Sequence, residues 1–95
     1  MYRWELEGEA RQEFDELPAV MRRVVTEFMD AVVRGDPIEF RRRPDEPRGP
    51  LHVVRTLEFG RSGDGLVTFV TYRPDELVLV VRIRWFGGAT RVVGV

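Results

Sequence analysis

The chain has 95 residues, 43% apolar and 33% charged, with nine glycines and six prolines, so it is one small domain and neither collagen-like nor wholly disordered. It has no cysteine, which removes disulfides, thiolate zinc sites and cysteine nucleophiles. Residues 1–40 carry five arginines and ten acids (net −5), residues 41–95 ten arginines and six acids (net +4), which excludes a uniformly basic nucleic-acid binder.

The opening Tyr2-Arg3-Trp4-Glu5-Leu6 alternates apolar and charged residues at period two and predicts a half-buried strand ended by Gly8. Ala10, Phe14 and Leu17 recur at helical spacing among charged residues, which predicts a short amphipathic helix. Pro18 breaks it and suits the first turn of a second helix. That helix carries an apolar stripe of Val20, Met21, Val24, Val25, Phe28, Ala31 and Val32, and stops at Gly35-Asp36-Pro37. Residues 36–50 read as a proline- and arginine-rich loop. Three strand-like runs follow, Leu51–Phe59, Gly65–Tyr72 and Leu77–Phe86, separated by the turn clusters Arg61–Gly65 and Arg73–Glu76. Gly87-Gly88 breaks the last run, and Ala89–Val95 is expected to add a short strand.

The expected fold is therefore α+β, a two-helix hairpin packed on a mainly antiparallel sheet in the order β-α-α-β-β-β, as one domain over 1–95. The expected core is Trp4, Phe14, Leu17, Val24, Phe28, Val32, Val67, Phe69, Leu79, Val81 and Ile83. No apolar run nears the roughly 20 residues of a membrane helix. The start of the chain, MYRWELEGEA, is mixed and charged, unlike a secretory leader. A cytoplasmic protein with no membrane contact is expected.

Every one of the fifteen basic residues is arginine, whose planar fork pairs with phosphate in two-pronged fashion. Strict alternation in the last strand places Leu77, Leu79, Val81, Ile83 and Trp85 towards the helices. Val78, Val80, Arg82 and Arg84 then lie on the open face, the two arginines about 7 Å apart. His52 is the only histidine and shares a face with Val54, Thr56 and Glu58. If that is also the helix-free face, His52, Glu58, Arg82 and Arg84 form a possible acid/base-and-clamp set; solvated surface residues are the competing reading. Arg41, Arg42, Arg43 and Arg48 make the loop basic, and with Arg55 and Arg61 they are candidates to contact RNA or an acidic protein. One histidine, no cysteine and no calcium-loop spacing leave no metal site to expect, and no nucleotide-binding glycine motif implies a cofactor.

Taken together, these segments resemble the RelE/ParE toxin superfamily of bacterial toxin–antitoxin systems. The resemblance runs through Tyr2–Leu6, Glu9-Ala10 with Phe14 and Leu17-Pro18, the long helix ending Gly35-Asp36-Pro37, Leu51–Arg55, Gly65–Phe69 and Leu77–Ile83. It implies a toxin that enters the ribosome and cuts mRNA without a metal, neutralised by a cognate antitoxin. The basic position of the last strand is then met by Arg82 or Arg84, and a basic position of the first meander strand by Arg55. Thr56 and Glu58 stand where members carry lysines, Gly65 or Leu66 where many carry an arginine, and Trp85-Phe86 where many carry tyrosine or histidine. The branch that poisons DNA gyrase, and a non-catalytic interaction protein on the same fold, are the alternatives the resemblance offers.

Overall fold

The periodicities of the chain become six elements in the computed structural model, which describes residues 1–46, 48–49 and 51–87. They are β1 (Arg3–Leu6), α1 (Glu9–Asp15), α2 (Ala19–Arg34), β2 (His52–Phe59), β3 (Gly65–Tyr72) and β4 (Leu77–Trp85). The sheet order is β1-β4-β3-β2, with β1 parallel to β4 and the other pairs antiparallel. The two helices carry the chain from one sheet edge to the other, and the meander returns it beside its own first strand. This is the expected α+β architecture; the strand expected at Ala89–Val95 lies outside the described residues.

At the junction of the helices, Arg22 Nη1 donates to Leu17 O at 2.6 Å and, more weakly, to Asp15 O at 3.4 Å. It so occupies carbonyls that a helix end leaves unpaired. From α2, Val25, Phe28, Met29 and Val32 enter the core, while Val20 stays exposed. Opposite them β3 alternates strictly, burying Gly65, Val67, Phe69 and Thr71. On β2 the same face carries Val53, Arg55 and Phe59. Trp4 packs against this core and donates its indole N–H to Asp30 Oδ1 at 2.9 Å.

Of the expected core, Leu17, Phe28, Val32, Val67, Phe69 and Ile83 are buried, with Trp4, Phe14 and Val24 partly buried against them. Leu79 and Val81 are corrections: the core residues of β4 are Val78, Val80 and Ile83. The cause is a bulge. Thr68 pairs with Arg82 and Phe69 with Val80, which leaves Val81 with no partner on β3. One extra residue inverts the faces along a strand of period two. Arg82 and Arg84 remain on the helix-free face as expected, while the first half of β4 is turned over. No described helix is long and apolar enough to cross a membrane.

Candidate functional site

Register assembles the candidate site. Glu58, Leu66 and Arg84 form one row across β2, β3 and β4, and Thr56, Thr68 and Arg82 form the next. Glu58 and Arg84 stand two strand spacings apart, about 10 Å between backbones. The Thr56 and Thr68 hydroxyls hydrogen-bond to each other at 2.9 Å, in the row that Arg82 completes. Glu58 folds against the β2–β3 turn, where a Cβ on Gly63 would lie 2.9 Å from its Oε2.

Arg82 is held from the side. Its Nε donates to Glu13 Oε2 at 2.8 Å, and Glu13 Oε1 accepts the Ile83 amide at 2.7 Å. Only one of the five guanidinium N–H donors is thereby used, and the side chain is half exposed. Arg84 is exposed, with no ion-pair or hydrogen-bond partner among the described residues. Beside them a cleft of about 420 Å³ opens between α1 and β4, lined by Glu13, Glu16, Arg82, Arg84, Trp85 and Phe86.

His52 does not join this group. It lies on the same face, but six residues along β2 from Glu58, about 20 Å away at the rise of a strand. There its ring stacks on Tyr72, centroids 6.0 Å apart and planes inclined by 28°. The set His52, Glu58, Arg82 and Arg84 is thus corrected to three residues at one end of the face and a histidine at the other.

Arg55 also leaves the candidate surface. Its side chain is 2% exposed and ion-pairs with Glu46, Nη2 to Oε2 at 3.0 Å and Nε to Oε2 at 3.1 Å. Its Nη1 donates to the carbonyls of Pro37 and Phe40 at 2.9 and 2.5 Å. Arg55 is the peg on which residues 37–46 hang, and its guanidinium is spent on that segment. Pro37 and Ile38 are buried beneath it, so the segment is less solvated than its composition suggests.

The loop's remaining arginines divide. Arg42 donates to Glu46 O at 2.8 Å, and Arg48 pairs with Glu39 at 2.9 Å. Arg41 lies over the rings of Phe40 and Phe28, 5.1 and 5.5 Å from their centroids, a cation–π arrangement. Arg43 is exposed and loosely paired with Asp45 and Glu46 at 3.8 and 3.6 Å. Arg41, Arg43, Glu46, Thr56 and Glu58 line a cleft of about 360 Å³ at the outer edge of β2. Arg61 is exposed in the β2–β3 turn. Glu46 is held below the ordinary carboxylate value, chiefly by the Arg43 backbone N–H and then by the Arg55 charge, against an opposing desolvation. Among the described residues no group of three or more His, Cys, Asp or Glu is placed to hold a metal ion.

Glu13 and the Arg55–Glu46 clip are what sequence reasoning missed. Arg55 left a signal, since it shares the parity of Val53 and Phe59 on the apolar side of β2. Glu13 left none, being one of several acids on α1.

Two solved structures resemble the chain over nearly its whole length. One is the isolated RelE toxin of E. coli, with a TM-score of 0.66 at 15% identity, over 99% of this chain and 96% of that one. The other is the archaeal RelE–RelB complex from Pyrococcus horikoshii, with a TM-score of 0.56 at 21% identity, over 92% of this chain and 97% of that one. The chain has the fold of RelE toxins. No family model and no curated protein matches its sequence.

Proposed function

We propose that the chain is the toxin of a toxin–antitoxin pair, silenced by an antitoxin protein and cutting ribosome-bound mRNA from the helix-free face of its sheet. The observation that carries this reading is the row Glu58–Leu66–Arg84, with Arg82 beside it, on a fold shared with RelE toxins. The E. coli neighbour is a RelE toxin and the archaeal one is solved with RelB, which supports an antitoxin as partner. RNA carries its own nucleophile. Glu58 takes the proton of a 2′-hydroxyl, whose oxygen attacks the adjacent phosphorus. The 5′-oxygen leaves with a proton from water, and a 2′,3′-cyclic phosphate remains. Arg84 and the untied Nη groups of Arg82 neutralise the charge that builds on the phosphorane, a contribution worth about 10²–10³ in rate for one fixed donor.

The distance of His52 from this row favours a second reading, a RelE-fold protein that binds its target without cutting it, with DNA gyrase as the target the sequence resemblance offers. Induced expression with primer-extension mapping of cellular mRNA separates the two. Growth arrest with cuts at codon boundaries, lost in Arg84→Ala, supports cleavage. Arrest without cuts supports the second reading, and neither arrest nor cuts rejects a toxin.

A further inference from the structure

We propose that His52 and Tyr72 are a stacking site for a nucleobase of a single-stranded RNA whose phosphates are held by Arg82 and Arg84. The inference rests on the reading of the helix-free face as an RNA surface, and extends that surface to the end opposite the arginines. The two residues are register partners on β2 and β3, and their rings already lie roughly parallel. His52 is exposed and Tyr72 partly so, which leaves ring surface open to a third stacked ring.

The rest of the face has the character such a ligand requires. Between the aromatic row His52–Tyr72–Leu77 and the charged row Glu58–Leu66–Arg84 lie Val54, Val70 and Leu79, and then the Thr56–Thr68 pair beside Arg82. Cations stand at one end, flat rings at the other, and neutral or apolar side chains between. A single strand offers the complement, an anionic backbone for arginine forks and base faces for aromatic and apolar groups. The two ends are about 20 Å apart, a length for a short oligonucleotide, at the low end of the ~4–16 nucleotides a small sheet-type binder accommodates. Stacking asks nothing of base identity, so the site places a nucleotide away from the scissile phosphate without demanding a sequence. His52 then has a function that its distance from Glu58 does not impede.

Binding of a fluorescently labelled hexamer tests this, with 2′-O-methyl RNA used so that no cleavage intervenes, measured by anisotropy on the full chain. His52→Ala and Tyr72→Ala are each expected to weaken binding about tenfold, while Tyr72→Phe, which keeps the ring, binds like the wild type. A hexamer carrying abasic sugars should lose the same factor, and Tyr72→Ala should then add nothing. Thermal melts confirm that each variant is folded, and His52→Ala, at an exposed position, carries the test if Tyr72→Ala is not. If the wild type binds and Arg84→Ala weakens it but neither ring substitution does, the stacking site is overturned while the RNA surface stands. If ring substitutions weaken antitoxin binding and leave RNA binding intact, the rings belong to a protein-docking surface and the proposal fails. No binding by the wild type removes the RNA reading, and the stacking site with it.

Discussion

Glu13 grips Arg82 and the strand that carries it. One carboxylate oxygen takes Arg82 Nε at 2.8 Å, and the other takes the Ile83 amide at 2.7 Å, 70 residues away in sequence. The parallel partner β1 ends where Leu6 meets Val80, so the Ile83 amide faces a sheet edge with no neighbouring strand. The carboxylate stands where a strand carbonyl would be, and a charge-assisted hydrogen bond is shorter and stronger than a neutral one.

Glu13→Ala should therefore lower unfolding free energy by about 1–3 kcal/mol, read by chemical denaturation. Glu13→Gln should lose about half as much, since an amide oxygen still accepts one N–H. Arg82→Ala removes only a half-exposed ion pair and should cost less than about 1 kcal/mol. Equal losses in Glu13→Ala and Arg82→Ala would show that the backbone amide bond does not anchor the edge.

Arg55 is the more severe case, because its charge is buried and its partners are fixed. Arg55→Ala takes from Glu46 its nearest cation and leaves two carbonyls without a donor, and should cost about 3–5 kcal/mol. Lysine does not rescue it, since a single ammonium lacks the fork that reaches two carbonyls and a carboxylate together. The loop is then expected to open, and trypsin reports it: cleavage after Arg41 and Arg42 should be much faster in Arg55→Lys than in the wild type. Unchanged cleavage rates would show that the buried Pro37 and Ile38 hold the loop by themselves.

The partner of that clip gives an acid dependence. Glu46 is lowered from its ordinary value of 4.5, first by the Arg43 N–H and then by Arg55. A carboxyl whose folded pKa is depressed stabilises the fold above its unfolded pKa, and that stability is lost as pH falls through the folded one. Wild type should thus exceed Glu46→Gln in melting temperature at neutral pH. The gap should begin to close below about pH 5 and vanish once Glu46 is protonated in both states. A gap that stays constant from neutral pH to pH 3 would remove the ionic contribution.

Legibility in the sequence followed periodicity. Each helix has a single apolar stripe and turn clusters set off the strand-like runs, so hairpin, meander and most of the core can be read directly. Leu77–Val81 is apolar at both parities, and nothing within it sets the phase. That phase comes from Trp4 and Leu6 on the parallel neighbour β1, opposite Val78 and Val80, with the unpaired Val81 absorbing the mismatch before Arg82. Arg55 is half legible: its parity marks it as inward, but its carbonyl partners come from a loop without a period. The face shared by His52, Glu58, Arg82 and Arg84 could be read from alternation. The separation of His52 from Glu58, six residues along one strand, could be read as well; its distance from the two arginines could not, because it depends on register, which hairpin turns and the bulge decide.

Register also makes one glycine irreplaceable. A Cβ on Gly65 would lie 2.2 Å from Arg84 O and 2.5 Å from the Phe59 ring. One of those neighbours is backbone of the strand that carries the arginines, and the other is a fully buried core side chain. Gly65→Ala should cost about 1–3 kcal/mol by overpacking, and cross-peaks of Arg84 and Phe59 should shift more than those of His52 at the far end of β2. Thermal stability equal to wild type would mean that β3 and β4 slide past each other more freely than their register implies.

Arg84, Glu58 and His52 have three separable roles on one face. Arg84 has no competing partner among the described residues, so Arg84→Ala should leave the melting temperature unchanged and lower the cleavage rate about 10²–10³-fold. Glu58→Gln keeps the size of the side chain and removes the base, and should lower kcat by about 10²–10⁴. His52→Ala behaves differently if His52 stacks on a base and moves no proton: KM rises and kcat holds, since an interaction present equally in ground and transition states affects binding alone. Single-turnover cleavage of mRNA on programmed ribosomes, at saturating and limiting toxin, measures both constants. A fall in kcat for His52→Ala as deep as that of Glu58→Gln would return His52 to the chemistry, and would require the sheet ends to approach by far more than side-chain motion permits.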